Sequence, residues 1–283
     1  MRNEENIGSP CGYTLGGYTD KMVVSENFAI KIPEGYPLEA AGPVMCAGIT
    51  MYDPLVQLSA GAGTRVGIAG LGGLGVMGIK LAKALGCTVT ALSRTSAKSE
   101  LAKKCGADNY IATSSAQAME AAKGSLDIIL NTIPVSHDYD QFTRLIAPKG
   151  KQVMLGLHSG FIGCTLVGGG IILGGGLSCG TAKVMGSVIG GIRATQEVMN
   201  LCAEHSIVPE LKVMPCESLN DIFRELDASN DSGVRHVLDI ANTLNDGTAA
   251  KCTAPAADPQ PNSMGICAGV CDCFRLLFCC KCR

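Results

Sequence analysis

The chain of 283 residues contains no tryptophan, and aromatic residues make up only 4% of it. It also lacks an excess of either charge, because 23 basic and 25 acidic side chains leave a net charge of −2. Proteins that bind nucleic acids usually present a basic face, so this balance argues against that class of partner. The first ten residues, MRNEENIGSP, are charged and contain no apolar run. They therefore predict that no secretory signal peptide is present.

Cysteine is abundant but unevenly placed. Six of the 15 cysteines lie at or after Cys267, and the other nine are scattered without C-x-x-C spacing. Scattered cysteines of this kind are typical of reduced thiols in an intracellular protein. The expected location is therefore the cytoplasm. The 36 glycines fit an α/β protein with many tight turns.

The order of apolar segments indicates a parallel sheet. Residues 16–32 alternate as strands would, in GGYTDKMVV and NFAIKI. From Gly61 onward, short apolar strands alternate with helices. The predicted strands are RVGIA, CTVTAL, YIAT, LDIILN and KQVMLGL, and the helices between them cover 76–85, 96–105, QAMEAA and YDQFTRLI. This alternation predicts a doubly wound α/β fold with helices on both faces.

The second half of the chain is less regular. Residues 152–182 carry no formal charge and are rich in glycine. Their length would span a bilayer as a helix. Because the repeated GGG has a low helix propensity, a strand followed by a glycine loop is the preferred interpretation. A helix at RATQEVMNLCAEH and a strand at ELKVMP follow. Beyond residue 245 the composition predicts a disordered linker into the cysteine-rich tail.

The stretch GIAGLGGLGVMG contains a glycine fingerprint between a strand and a helix. Gly70 would permit a tight turn, Gly72 would let the backbone approach a pyrophosphate, and Gly75 would let the helix pack on the sheet. The free N–H groups at the start of the helix would bind the anion. A plain glycine-rich turn is the alternative interpretation. With Leu71, Gly73 and Leu74, these residues form the predicted cofactor loop.

The segment after the next strand indicates which dinucleotide would bind. Enzymes that prefer NAD commonly place an acidic residue there for the ribose hydroxyls, whereas here the first acid is Glu100. The positions instead hold two cations and three hydroxyls, namely Ser93, Arg94, Thr95, Ser96 and Lys98. They suit a 2′-phosphate, which favours NADP over NAD. A solvated helix start is the alternative.

Several stretches together resemble the zinc-type medium-chain alcohol dehydrogenases, in particular their cinnamyl alcohol dehydrogenase branch. The matching stretches are GGYTDKMVV, CAGITMYDPL, GLGGLGVMGIKLAKALG, SRTSAK, NTIPVSHD, GSVIGGIRATQEVMNLCAEH and VRHVLDI. The resemblance implies hydride transfer between a nicotinamide and an aldehyde or primary alcohol, with zinc as the Lewis acid. It also implies a homodimer formed through the cofactor domains.

The resemblance assigns roles to particular residues. Cys46 corresponds to a catalytic zinc ligand and Thr50 to a cofactor contact. The nicotinamide side would be lined by Thr132, Gly156, Ser187, Val188 and Ile189. Without the resemblance, Cys46 reads as a buried thiol. His137 is expected to pack ordinarily or to lie in a surface loop rather than to face the cofactor.

Relatives begin with a longer GroES-like domain that supplies the other zinc ligands, so the resemblance is that of an N-terminally truncated relative. The expected division is a remnant of that domain at 1–45, an NADP-binding Rossmann domain at 46–204, a return to the remnant at 205–245, and linker and tail at 246–283. Residues 20–32 and 234–239 would normally pair within the GroES-like domain, which predicts exposed strand edges here.

Two function hypotheses remain open from the sequence. The first is an NADP(H)-dependent alcohol dehydrogenase or aldehyde reductase. The alternative is a non-catalytic NADP-binding protein tethered to a membrane surface. In the tail, FRLLFCCKCR places cysteines beside apolar and basic residues, which suits S-acylation. A metal cluster and a tail without function are the other interpretations.

Overall fold

A computed structural model describes residue 22 and residues 24–156, 184–228 and 233–244. The strands are β1 Arg65–Ala69, β2 Thr88–Ser93, β3 Asn109–Ala112, β4 Leu126–Asn131, β5 Ile146–Met154, β6 Val184–Gly186, β7 Leu211–Met214 and β8 Arg235–Leu238. The α-helices are α1 Leu38–Pro43, α2 Ile49–Gln57, α3 Gly73–Ala84, α4 Ser99–Lys104, α5 Ala116–Ala121, α6 Asp140–Thr143, α7 Ile192–Glu204, α8 Leu219–Ala228 and α9 Ile240–Thr243. A π-helical turn, Val44–Gly48, joins α1 to α2.

Six strands form one parallel sheet in the order β3-β2-β1-β4-β5-β6. The chain runs outward from β1 to β3 and then crosses back to β4, so the strand order reverses between β1 and β4. This is the doubly wound arrangement predicted from the sequence. In such sheets, ligands bind beyond the carboxyl ends of the strands at the point of reversal. The topology therefore places the candidate site where β1 and β4 end.

The sheet is buried on both faces because its strands are apolar nearly throughout. On one face, Val66, Ile68 and Leu130 pack in a cluster with residues of α1, α2, α3 and α7. On the other face, Ile129 packs with Phe142 in a smaller cluster under α5 and α6. Helices therefore cover both faces, as expected for a parallel sheet.

The strand predicted at NFAIKI is wrong. Glu26–Phe28 forms a 3-10 helix, and residues 29–32 lie in neither a helix nor a strand. The Gln196 side chain takes the place of a neighbouring strand here. Its Oε1 accepts from the Lys31 N–H at 2.8 Å, and its Nε2 donates to the Lys31 carbonyl oxygen at 2.8 Å. Most of GGYTDKMVV lies outside the described residues.

The strand predicted at 234–239 is confirmed as β8, which pairs in parallel with β7 in a separate two-stranded sheet. Sequence reasoning assigned no structure to residues 38–57, which form α1, the π turn and α2. It also missed β6. In the uncharged stretch from residue 152, the predicted strand is confirmed for the part that lies in β5. Residues 157–183 and the tail lie outside the described residues.

Within the described part of the chain, no helix is long and apolar enough to cross a membrane. The longest is α7, with 13 residues.

Two buried ionisable groups make the free energy of unfolding depend on pH in the alkaline range. Cys202 on α7 is fully buried, and burial raises the pKa of its thiol to about 12. Burial also raises the pKa of the Tyr36 phenol, whose hydroxyl donates to the Ile207 carbonyl oxygen at 2.7 Å. Both groups hold their protons more tightly in the folded chain than in the unfolded chain. The free energy of unfolding should therefore fall as pH rises above the ordinary thiol pKa of about 8.5.

Replacing Cys202 with alanine should make this fall shallower. Between pH 7.5 and pH 10, the wild type should lose about 2 kcal/mol more of its free energy of unfolding than Cys202→Ala does. Urea denaturation at the two pH values measures the difference. Equal losses in the two proteins would contradict the contribution assigned to Cys202.

Candidate functional site

The glycine turn between β1 and α3 depends on the absence of side chains at two positions. Gly70 has φ +90°, and its N–H donates to the Leu92 carbonyl oxygen at 3.0 Å. A Cβ on Gly75 would lie 1.9 Å from the Gly70 carbonyl oxygen. The first turn of α3 can therefore approach the end of β1 this closely only with glycine at 75.

Gly72 faces open space at the start of α3. No heavy atom of the described residues, its chain neighbours aside, lies within 4 Å of a Cβ built there. Leu71 is buried, whereas Leu74 is half-buried. Since α3 starts at Gly73, the N–H groups of its first turn have no partner within the helix. The backbone at Gly72 is thus accessible beside a helix N-terminus, which is where an anionic group binds.

Thr132 ties the end of β4 to the glycine turn. Its hydroxyl donates to the carbonyl oxygens of Ala69 and Gly70, at 2.9 and 3.1 Å, and its N–H donates to Ala69 at 2.8 Å. Gly156, after β5, donates its N–H to the Asn131 carbonyl oxygen at 3.0 Å. A Cβ on Gly156 would lie 2.0 Å from the Ile133 carbonyl oxygen. The ends of β1, β4 and β5 therefore pack as one unit.

The residues predicted to line the nicotinamide side come together at this same edge of the sheet. The Ser187 N–H donates to the Met154 carbonyl oxygen at 3.2 Å. Val188 is half-buried and Ile189 is 43% exposed. Because all six strands are parallel, these residues, Thr132 and Gly156 follow the carboxyl ends of their strands on one side of the sheet.

The predicted 2′-phosphate residues fold over the glycine turn from β2. Ser93 ends β2, and Arg94 is exposed. The Thr95 hydroxyl accepts from the Ala97 N–H, which caps the 3-10 turn Ser96–Lys98. Lys98 Nζ donates to the Leu71 carbonyl oxygen at 3.2 Å. Lys98 therefore lies next to the glycine turn.

Arg235, the first residue of β8, is a site residue that sequence reasoning missed. Its Nε is buried and has no acceptor among the described residues. This atom lies 2.9 Å from the position that a Cβ on Gly73 would take. Gly233 also lies against the turn, since its own hypothetical Cβ would be 3.3 Å from the Gly73 nitrogen. A guanidinium beside a helix N-terminus suits a bound anion. No local sequence signal links position 235 to the glycine loop.

Cys46 lies in the π turn between α1 and α2, a type of distortion that is frequent at functional sites. Its side chain is buried, and burial raises the pKa of its thiol, while the nearby positive charge of Arg235 partly offsets this. Thr50 is also buried, and its hydroxyl donates to the Cys46 carbonyl oxygen at 2.7 Å. The predicted zinc ligand is thus on the side of the molecule that carries the glycine loop.

A catalytic zinc needs three protein ligands and an open position. The described residues contain no group of three or more His, Cys, Asp or Glu side chains able to hold a metal ion. Cys46 is therefore not joined by two further ligands from this part of the chain. The described residues fit a dinucleotide but do not by themselves fit a zinc ion.

Comparisons with known proteins agree with this geometry. The sequence profile of the family "Zinc-binding dehydrogenase" matches residues 73–204. NADP-dependent alcohol dehydrogenase C of Mycobacterium tuberculosis is 39% identical over 236 residues, which cover 83% of this chain and 66% of that protein. The chain thus spans slightly less than two thirds of that relative.

Solved structures give the same result. A cinnamyl alcohol dehydrogenase from Sorghum bicolor has a TM-score of 0.65 and 31% identity, with 78% of this chain and 61% of that chain covered. The cinnamyl alcohol dehydrogenase of Helicobacter pylori, solved with NADP(H), has a TM-score of 0.63 and 31% identity, with 78% and 60% covered. Residues 73–204 therefore form a zinc-binding dehydrogenase domain, and the chain is homologous to NADP-dependent alcohol dehydrogenases and cinnamyl alcohol dehydrogenases.

Proposed function

We propose that this chain binds NADP(H) and acts as an alcohol dehydrogenase or aldehyde reductase. In this reaction, hydride passes between the nicotinamide and a primary alcohol or aldehyde. The observation that carries the proposal is the glycine turn, where the backbone is accessible at Gly72 and the Arg235 guanidinium, whose Nε has no acceptor among the described residues, lies beside Gly73. An anion placed there would receive hydrogen bonds from both.

The pyrophosphate would occupy this position. It would accept from the first N–H groups of α3 and from the Arg235 guanidinium, which approaches Gly73 from β8. Hydrogen bonds to charged groups each contribute about 1.5–3 kcal/mol. The positive end of the α3 dipole lies at the same position and also favours a bound anion. The two contributions come from chain segments far apart in sequence, so binding would also hold β8 against the Rossmann sheet.

The adenosine end would lie beyond β2. The Ser93 carbonyl oxygen accepts from the Thr113 N–H, and the Arg94 carbonyl oxygen accepts from the Ser114 N–H, so the segment is anchored by its backbone. This leaves the Arg94 guanidinium exposed for a 2′-phosphate, which it can bind through two N–H groups. Thr95, Ser96 and Lys98 would complete this subsite.

The nicotinamide would lie over the ends of β4, β5 and β6, against Thr132, Gly156, Ser187, Val188 and Ile189. When bound, the cofactor supplies the hydride. Thr132 and Gly156 would hold the floor of the site because their own hydrogen bonds fix the strand ends. In the family, zinc polarises the substrate oxygen. The described residues offer Cys46 as one candidate ligand for zinc.

The aldehyde or alcohol substrate follows from the relatives. Two solved structures with a similar fold are cinnamyl alcohol dehydrogenases, which makes cinnamaldehyde a suitable test substrate. Formation of a homodimer remains a prediction from the resemblance, and light scattering of the purified chain would measure it.

The Gly72→Ala variant tests cofactor binding directly. Position 72 has φ −95° and space for a Cβ, so the fold should tolerate alanine. The added methyl group would occupy the space that the pyrophosphate needs. We expect NADPH to bind about ten- to a hundredfold more weakly, as measured by calorimetry, because charged hydrogen bonds of about 1.5–3 kcal/mol are lost.

Gly61→Ala is the matched control. A Cβ there would make only an ordinary 3.8 Å contact with the Leu85 carbonyl oxygen, and Gly61 lies before β1, at the opposite end of that strand from the glycine turn. It should bind NADPH as the wild type does. Unchanged affinity in Gly72→Ala would contradict the proposed site. The activity is tested by measuring whether the wild type oxidises NADPH when cinnamaldehyde is present.

Arg94→Gln tests the preference for NADP over NAD. Loss of the guanidinium should weaken NADPH binding about ten- to a hundredfold and leave NADH binding unchanged, because only NADPH carries the 2′-phosphate. Arg224→Gln, on α8 and 77% exposed, is the matched control. An equal loss of affinity for both cofactors would show that Arg94 does not read the 2′-phosphate.

A second candidate function is a non-catalytic NADP-binding protein held at a membrane surface. It is supported by the composition of the tail, where three of the last five residues are cysteines next to LLF and basic side chains. Acyl chains on several cysteines would anchor a protein far better than one chain alone. Binding of NADPH without turnover in the assay above would favour this candidate.

Acylation of the tail has its own test. Cells expressing the full chain would be fed an alkyne analogue of palmitate, and hydroxylamine-sensitive labelling would be measured. We expect a label that is lost when Cys279, Cys280 and Cys282 are all replaced by serine, since thioesters form on these thiols. No label on the wild type, or equal label on the wild type and the triple serine variant, would contradict membrane tethering through these cysteines.

A further inference from the structure

Asn131 and His137 form a hydrogen-bonded pair beside the proposed cofactor site. Asn131 is the last residue of β4 and is fully buried. Its Nδ2 lies 2.9 Å from Nε2 of His137, and Nδ1 of the same imidazole lies 2.7 Å from the Val135 carbonyl oxygen. The imidazole also contacts the rings of Tyr139 and Phe142 edge-on, at centroid distances of 4.4 and 5.7 Å. His137 therefore packs in an ordinary way, as the sequence predicted, but it also has a defined polar partner.

The hydrogen bonds leave only one assignment of the imidazole proton. The Ile133 backbone N–H can only donate, so the Asn131 atom 3.2 Å away must be Oδ1. The other amide atom is then the NH₂ group, which donates to His137 Nε2. The Val135 carbonyl can only accept, so Nδ1 must carry the proton. His137 is thus neutral in this arrangement, with its proton on Nδ1 and its lone pair on Nε2.

Asn131 connects this pair to the strand ends that form the site. Its backbone carbonyl oxygen accepts from the N–H groups of Leu155 and Gly156, at 2.8 and 3.0 Å. Its side chain holds the Ile133 N–H, and the intervening residue, Thr132, bonds to the Gly70 carbonyl oxygen. A shift of the Asn131 side chain would therefore reach both the floor of the nicotinamide site and the glycine turn.

We propose that His137 is a positioning residue, which in its neutral Nδ1–H form holds Asn131 and so orders the cofactor site, and which releases it on protonation. This inference rests on the proposed cofactor binding at the same site. A protonated imidazole has N–H groups on both nitrogens. Its Nε2–H would then point at the Asn131 NH₂ group, and two donors would face each other in a half-buried position. Low pH should therefore weaken cofactor binding.

Other titratable groups also lie near His137. Asp138 and Asp140 flank it in the chain, and Asp138 Oδ1 accepts from the Asp140 N–H at 2.9 Å. Tyr139 lies against its ring, while the groups that face it from β4 and α6 are the uncharged Asn131 and Phe142. These groups are the same in wild type and in His137→Gln, so comparing the two proteins between pH 5.5 and pH 8 isolates the contribution of His137.

The first experiment needs no cofactor. The chain has only four histidines, so two-bond ¹H–¹⁵N spectra of the full chain labelled at histidine can resolve each imidazole. His137→Gln identifies the His137 signal by its loss. We expect His137 to be neutral with its proton on Nδ1 at pH 8. An Nε2–H tautomer at pH 8 would overturn the proposal.

The second experiment measures NADPH affinity at pH 8 and pH 5.5. In His137→Gln, the side-chain oxygen can accept from Asn131 Nδ2 and does not titrate. The wild type should lose about three- to tenfold more affinity between the two pH values than His137→Gln, which corresponds to one neutral hydrogen bond. His137→Leu removes the acceptor and should bind about three- to tenfold more weakly at pH 8. His205→Gln, at the end of α7, should behave as the wild type.

The outcomes separate the two proposals. Absence of NADPH binding by the wild type at pH 8 would overturn the proposed function. Binding at pH 8 with the same pH dependence in wild type and His137→Gln would overturn the role of His137 alone. Because the change in 2′-phosphate ionisation is common to both proteins, comparing them removes its effect.

Discussion

The contact between Gly75 and the Gly70 carbonyl oxygen is the constraint on which the candidate site depends. With any side chain at 75, a Cβ would meet that oxygen at 1.9 Å, and α3 would have to move away from β1. The helix N-terminus would then no longer lie over the carboxyl end of the central strand. Gly70 contributes the other half, since its φ of +90° turns the chain at once into the helix. The site therefore begins with two positions where a side chain is excluded.

Hydrogen bonds between strand ends extend this constraint across the sheet. Thr132 joins β4 to the glycine turn, and Asn131 joins β4 to β5. His137 completes the network from the loop that follows. In a parallel sheet, all the carboxyl ends point the same way, so one network can connect residues from several strands. The same geometry explains why cofactor contacts proposed on β1, β4, β5 and β6 lie side by side.

Sequence reasoning predicted the parts of this structure that repeat locally. In strands β1 to β5 and the helices between them, apolar residues recur at the spacing typical of a strand or a helix. The glycine fingerprint lies where a strand meets a helix. Sequence reasoning failed where the local structure depends on contacts with distant parts of the chain. The segment NFAIKI has the alternation of a strand, yet the backbone N–H and carbonyl groups of its Lys31 pair with the Gln196 side chain instead. The short β6 carries too few residues to show a period.

The amino-acid sequence by itself determined the doubly wound class, the position of the dinucleotide loop and the cationic segment that suits a 2′-phosphate, because each follows from residue types a few positions apart. Only the tertiary structure decided that Arg235 faces the loop, that Cys46 lies in a π turn, and that Asn131 selects one tautomer of His137. These facts depend on contacts between distant segments or on the direction of single hydrogen bonds. Periodicity in the sequence contains no information about either.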